Sequence, residues 1–180
     1  YSRAANGGIG AAKAAGNYAA QFYPTNLANK DGFQQVIWTD DATHEYFEES
    51  GTMNVFVRIN DTIYTPPTSE KILDGVTRDS FIQLAKKRGI EVKVEPIPVK
   101  TVIEALKEGA LKEVWGVGTA VVTTQFQALG YQGEKLALPR LSDEESYAAI
   151  LKKDLVDLQT NLSEDPFGWR MKVEEKLVEA

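Results

Sequence analysis

Hydrophobic and polar positions divide this chain into short segments of two periodicities. Gln35 to Thr39 and Asn54 to Ile59 are compact apolar runs that read as buried strands. Asn60-Asp61 marks a turn, Thr62 to Tyr64 resumes the sheet, and Pro66-Pro67 ends it, because proline cannot continue a ladder. Thr77 to Arg88 carries Phe81, Leu84 and Ala85 on one face and meets Gly89, which predicts a helix and its stop. Ile90, Val92 and Val94 alternate with charged residues as a half-exposed strand does. Thr101 to Glu104 has the spacing of a capping box and predicts a short helix ending at Gly109. Glu113 to Gly118 and Ala120 to Thr124 predict two strands joined by a glycine turn. Ser142 to Glu145 is a second capping box, predicting a helix striped by Tyr147, Ile150, Leu151, Leu155 and Leu158. Near the start, Ala11 to Phe22 is rich in alanine with Gly16 as its one internal breaker, which predicts a helix. Gly7, Gly8 and Gly10 ahead of it predict a turn where backbones approach closely. No repeat or linker interrupts this order, so the fold class is α/β in one compact unit.

Composition narrows the function classes. The chain has 180 residues, 43% hydrophobic and 26% charged, the balance of a globular protein. No apolar run approaches the roughly 20 residues of a membrane span. The net charge of −6 disfavours a nucleic-acid surface, which needs clustered basic residues. The absence of cysteine excludes disulfides, thiolate metal sites and cysteine nucleophiles, and fits a cytoplasmic setting. His44, the single histidine, has no partner residues for a metal site and reads as a surface loop residue. The chain opens on Tyr1 rather than methionine and is read as a piece of a longer protein.

Four places could carry chemistry. Lys13 stands among glycine and alanine in Asn6 to Tyr18, with no acidic neighbour in sequence. Small neighbours leave room beside its amine for a flat ligand, and an unpaired, partly desolvated lysine has the lowered pKa that imine chemistry needs. From spacing alone, a surface lysine on an Ala-rich helix fits better. A phosphate loop fits worse: Gly8-Ile9-Gly10 lacks the third glycine, and Ala follows Lys13. Glu48-Glu49 before the small residues Ser50-Gly51-Thr52 could aim a carboxylate at a ligand, or be a polar loop. Gly75-Val76-Thr77 opens a helix and could bind an anion, or be an ordinary N-cap. Gly116 to Ala120 could bring backbone amides to an oxyanion, or simply join two strands.

Taken in order, these places resemble one family. The series is Lys13-x-x-Gly16-Asn17-Tyr18, Glu49-x-Gly51-Thr52-Met53-Asn54-Val55-Phe56, Leu73-x-Gly75-Val76-Thr77-Arg78 and Gly116-x-Gly118-Thr119-Ala120. It is similar to that of the class IV aminotransferases of the branched-chain type, enzymes that use pyridoxal 5'-phosphate (PLP). The resemblance implies an α/β pseudo-barrel of PLP fold type IV, with helices outside a mixed sheet. It implies that Lys13 is the Schiff-base lysine and proton shuttle. Tyr18 would hydrogen-bond the cofactor's phenolic oxygen, and Glu49, selected over Glu48 by its spacing to Gly51-Thr52, would face the pyridine nitrogen. Leu73 would pack on the ring. Val76, Thr77 and Thr119 would hold the phosphate, and Thr52, Thr119 and Ala120 would line the substrate carboxylate site. The reaction implied is amino transfer between leucine, isoleucine or valine and 2-oxoglutarate, in a homodimer with no metal. The alternatives are a D-amino-acid aminotransferase or aminodeoxychorismate lyase within the family, and a non-catalytic binding domain outside it.

The resemblance further implies a protein roughly twice as long. Residues 1–180 would then be its single PLP-binding C-terminal domain, without the N-terminal domain that supplies a phosphate-binding arginine and much of the side-chain pocket. Such a domain alone is expected to bind PLP weakly and turn over little substrate. Val121 and Thr124 stand where mammalian members carry a Cys-x-x-Cys pair, so no thiol switch of that type is available.

Overall fold

A computed structural model describes residues 1–173. Two short helices, α1 (Ala15–Ala19) and α2 (Phe22–Lys30), precede strands β1 (Ile37–Thr39), β2 (Tyr46–Ser50), β3 (Met53–Ile59) and β4 (Thr62–Thr65). Helix α3 (Val76–Lys87) leads to β5 (Val92–Val94) and β6 (Ile97–Pro98), and α4 (Val99–Lys107) to β7 (Leu111–Gly118) and β8 (Val122–Gln125). A hairpin of β9 (Ala128–Tyr131) and β10 (Glu134–Ala137) and helix α5 (Tyr147–Gln159) complete the order.

Strand β3 is the axis of an eight-stranded mixed sheet. It pairs antiparallel with β7 along one edge and with β2 and then β4 along the other. The β4–β5 pair is parallel. Successive side chains of β3 leave opposite faces, and both faces are covered. Phe56 joins Trp115, Phe81, Leu84, Ala148 and Leu151, which seats α3 and α5 on one side. Val55 and Val57 join Val102, Ala105, Leu111 and Leu129, which seats α4 and the β9–β10 hairpin on the other. Trp115 stacks on Phe56 with centroids 5.4 Å apart and planes 11° from parallel. Covering both faces explains why 54–59 reads as an apolar run rather than an alternation. The expected helices outside a mixed sheet are present.

Several boundaries differ from expectation, each for a local reason. The Ala-rich helix does not run from Ala11 to Phe22. Lys13 lies in an irregular segment before α1, and the buried Asn17 amide donates to the carbonyls of Ile9 (2.7 Å) and Ala12 (2.9 Å), fixing a loop where a longer helix was predicted. Helix α2 was unforeseen; its Pro24 sits in the first turn, where proline is tolerated. The β9–β10 hairpin was also unforeseen; Gln132 and Gly133 turn it with φ of 49° and 83°. Helix α4 starts at Val99, two residues before its predicted capping box.

Half of the box at Ser142 forms, the Glu145 carboxylate accepting from the Ser142 amide and hydroxyl, and it closes a turn outside the helix. Helix α5 starts instead at Ser146, which caps the Ala149 amide and donates to Glu113 Oε2 at 2.6 Å. The buried Glu113 also accepts from the Tyr147 and Ala148 amides and pairs with Arg58 at 3.0 Å, so one β7 carboxylate anchors the helix start. Removing one partner of such a buried charge pair costs about 3–5 kcal/mol, whereas a change at Ser142, an exposed turn residue that caps no helix, costs about 0.5 kcal/mol. Glu113→Ala should therefore lower the urea-unfolding free energy several times more than Ser142→Ala, and equal losses would contradict this anchoring.

Candidate active site

The predicted residues gather where β2 turns into β3. Tight packing directs this end of the sheet: Gly51 has φ +54°, and a Cβ there would lie 2.1 Å from the Gln35 side chain. On β2, Glu48 and Glu49 leave opposite faces. Glu48 pairs with Lys71 Nζ at 2.7 Å, and Lys71 also reaches Asp41 at 2.9 Å. Glu49 turns the other way, is 2% exposed, and meets Arg3 at 2.8 Å through Oε2. Its Oε1 accepts from the Leu73 amide at 2.7 Å. The strand's alternation therefore separates two adjacent carboxylates into two environments, and the one that the motif spacing selects is the deeply buried one.

Burial pushes the Glu49 carboxyl up to about 7, against the opposing pull of the Arg3 charge, the Leu73 N–H and the Lys13 charge. Arg3 is itself buried and divides its donors. One guanidinium nitrogen bonds the Lys71 carbonyl at 2.6 Å, and the other, besides Glu49, reaches the Gly10 carbonyl at 3.3 Å. Close approach requires glycine at position 10, because a Cβ there would lie 2.7 Å from Lys71 Cα. Ala11 N–H donates to the Glu70 carbonyl at 2.8 Å, so the segment bearing Lys13 is fastened to residues 70–71.

Lys13 is exposed, which corrects the expectation of a partly desolvated amine: its alanine neighbours leave it uncovered in this chain. Its Nζ stands 5.2 Å from the centre of the Tyr18 ring. The Tyr18 hydroxyl is shielded from solvent and has no hydrogen-bond partner among the described residues. Leu73 is half-buried. Val76 and Thr77 are the first two residues of α3, whose leading N–H groups have no acceptors within the helix. Val76 is 82% exposed and Thr77 half-buried, so this helix start opens outward. Thr52 in the β2–β3 turn and Thr119 and Ala120 in the β7–β8 turn are all exposed. The two turns adjoin, a Cβ on Gly118 lying 3.8 Å from the Thr52 carbonyl. His44 is exposed in the β1–β2 turn at φ 57°, as its reading predicted.

Sequence reasoning missed Arg3 and Lys71, and it quoted Asn17 and Asn54 in the motif series without giving either a role; all four build this site. Each acts on a segment distant in sequence or through a backbone carbonyl, and local periodicity carries no sign of either. The geometry offers a free amine, an unsatisfied phenol, a buried carboxylate and an open helix start around one small-residue turn. The sequence matches a known family. A model described as "Amino-transferase class IV" covers residues 6–128.

The chain belongs to the class IV aminotransferases. Among curated proteins it is 39% identical to Branched-chain-amino-acid aminotransferase 2 of Bacillus subtilis (strain 168) over 173 residues, 96% of this chain and 47% of that protein. It is 40% identical to Branched-chain-amino-acid transaminase 1 of the same organism, covering 96% of this chain and 48% of that protein. Among solved structures, the branched-chain amino acid aminotransferase from Escherichia coli superposes with a TM-score of 0.76 and 29% identity, over 94% of this chain and 53% of that one. The T.th. branched-chain amino acid aminotransferase complexed with N-(5'-phosphopyridoxyl)-L-glutamate does so with a TM-score of 0.74 and 26% identity, over 94% and 52%. The fold is thus the fold type IV architecture that the class IV motifs implied. The chain spans about half the length of the curated relatives it matches.

The Glu49 environment has a measurable pH signature. A carboxyl whose folded-state pKa is raised from its ordinary 4.5 to about 7 favours folding in its protonated form. That contribution is fully present below 4.5 and is lost as pH rises through 7. Glu49→Gln does not titrate, so its unfolding free energy should gain on the parent by about 3 kcal/mol between about pH 4 and pH 8. Urea unfolding across that range measures the difference, and a flat difference would contradict the burial-driven shift.

Proposed function

We propose that this chain is the cofactor-binding half of a branched-chain-amino-acid aminotransferase (residues 1–180 forming the C-terminal domain). The reaction is amino transfer between leucine, isoleucine or valine and 2-oxoglutarate, with PLP as cofactor. Membership of the class IV family supports the reaction type, and relatives named for branched-chain amino acids support the substrate class. The observation that carries the cofactor is the Tyr18 hydroxyl, buried and unpartnered beside Lys13, with the Glu49 carboxylate close enough to feel the lysine's charge. A phenolic oxygen on a bound pyridine would satisfy that hydroxyl, so the residues present fit the group.

When bound, PLP supplies the electron sink for the pair left behind as the substrate Cα loses its proton. Lys13 would hold the cofactor through Nζ and, once the substrate amine has displaced it, the freed Nζ would take that proton and return it. Tyr18 donates to the phenolic oxygen. Glu49, held between Arg3 and the Leu73 amide, keeps a proton at the ring nitrogen, and a positive ring nitrogen in turn favours the ionised carboxylate. Leu73 covers the ring, and Val76, Thr77 and Thr119 hold the phosphate, the first two with helix-start N–H groups. Thr52, Thr119 and Ala120 orient the substrate carboxylate. A further N-terminal domain of the whole protein completes the side-chain pocket, and the whole protein works as a cytoplasmic homodimer. No described helix is long and apolar enough to cross a membrane.

Titration of the chain with excess PLP tests the carrier. The parent should develop an absorption band in the visible and Lys13→Ala should lack it. A band of equal intensity in both proteins would overturn the assignment of Lys13.

A further inference from the structure

Asn54 is buried in the first part of β3, directly opposite Glu49 in the β2–β3 register. The two side chains leave the same face of the strand pair and take the two backbone groups of one residue. Glu49 Oε1 accepts the Leu73 N–H at 2.7 Å, and Asn54 Nδ2 donates to the Leu73 carbonyl at 2.8 Å. Leu73 lies in the connection between β4 and α3, a segment without regular backbone pairing that could otherwise wander. Both of its polar backbone groups are therefore fixed by neighbouring positions of the rigid sheet.

The same asparagine explains a glycine. Gly75, the N-cap of α3, has φ −77° and ψ 126°, an extended conformation open to any residue. A Cβ at that position would nevertheless lie 2.1 Å from Asn54 Oδ1 and 3.3 Å from its Cγ. The amide oxygen of Asn54 occupies the space a side chain would need, so the requirement for glycine comes from packing rather than dihedral freedom. Asn54 thus grips the turn twice, by a hydrogen bond at residue 73 and by close contact at residue 75.

We infer that Asn54 is a positioning residue: through Leu73 and Gly75 it fixes the start of α3 relative to the Glu49 carboxylate. With the site read as a PLP site, on which this inference rests, the asparagine sets the span between the ring-nitrogen partner and the phosphate-binding helix start. A ligand carrying both a ring nitrogen and a phosphate gains from that preset span, because the turn need not be ordered at the moment of binding. A ligand without the phosphate gains nothing from it.

The test compares the parent chain with Asn54→Ala, Gly75→Ala and the double variant, first by amide hydrogen exchange without ligand. Loss of a buried hydrogen bond should speed exchange across residues 73–77 by about tenfold in Asn54→Ala while β7 stays as protected as in the parent. Gly75→Ala, which drives a methyl into Asn54, should loosen the same turn. In the Asn54→Ala background the added methyl should have little further effect, since its obstacle is gone. Unchanged exchange at 73–77 in Asn54→Ala, or equal effects of Gly75→Ala in both backgrounds, would overturn the inference. Binding provides the second arm, using PLP and unphosphorylated pyridoxal on the same proteins. Both ligands share the ring contact at Leu73, so Asn54→Ala should weaken both, but PLP by about tenfold more than pyridoxal, the loss expected from one mis-set hydrogen-bonding group at the helix start. If Asn54→Ala keeps the parent's preference, the positioning role is wrong. If the parent itself shows no preference for PLP, the phosphate reading of α3 fails, and the exchange result still decides the clamp.

Discussion

The site depends on keeping one carboxylate out of water. Burying an isolated carboxylate is so unfavourable that the group is either paired or protonated. Glu49 is handled by both routes: Arg3 and the Leu73 amide partner its two oxygens, and its pKa still rises to about 7. The rest of the local architecture follows from supplying those partners. Arg3 must approach β2, so the N-terminal segment folds back along residues 70–71 and uses Gly10 at the crossing. The amide of Leu73 must face Glu49, so the connection into α3 lies against β2 and β3, where Asn54 completes its hold. One buried charge thereby draws together three segments distant in sequence.

Around that rigid centre the exposed groups sit on turns. Lys13 lies in an irregular loop, Thr52 and Thr119 in hairpin turns, and Val76 at a helix start. This division suits a proposed reaction in which the ring is held fixed while an amine and a substrate carboxylate come and go. The two hydrophobic clusters seat the helices on β3 and β7, and Phe56 and Trp115 carry their stacking within a few residues of the Thr52 and Thr119 turns. Core and site are therefore built from the same two strands. Glu48 supplies the contrast to Glu49: one position along, on the opposite face, it makes a salt bridge with Lys71 and has no part in the proposed chemistry.

Most elements with a strong period were legible in the sequence, including β3, β4, α3, β7 and the stripe of α5. The helix starts were misread where the decisive partner was remote. Ser142 has the spacing of a cap, yet α5 begins at Ser146 because Glu113, on a strand 33 residues away from Ser146, accepts its hydroxyl. The predicted helix at Ala11 was lost to the Asn17 amide, which takes the Ala12 carbonyl that a helix would have used and ties it to that of Ile9. Lys13, Tyr18, Glu49 and Thr77 were singled out because the motif series carries them in order. Arg3 and Asn54 escaped functional notice because their roles consist of holding backbone atoms of Gly10, Lys71 and Leu73, relations visible only once the chain is folded. Gly75 shows the same limit, since its glycine is required by a side chain 21 positions earlier.

Everything proposed for catalysis requires that Lys13, and not merely an accessible lysine, faces the place prepared by Tyr18 and Glu49. Reduction of the PLP-treated chain with borohydride, followed by digestion and mass mapping, measures this. A phosphopyridoxyl adduct should concentrate on the peptide containing Lys13. Lys100 and Lys153, whose side chains are 84% and 75% exposed, should carry only the background expected of accessible amines. Labelling of those surface lysines as extensive as that of Lys13 would contradict the assignment.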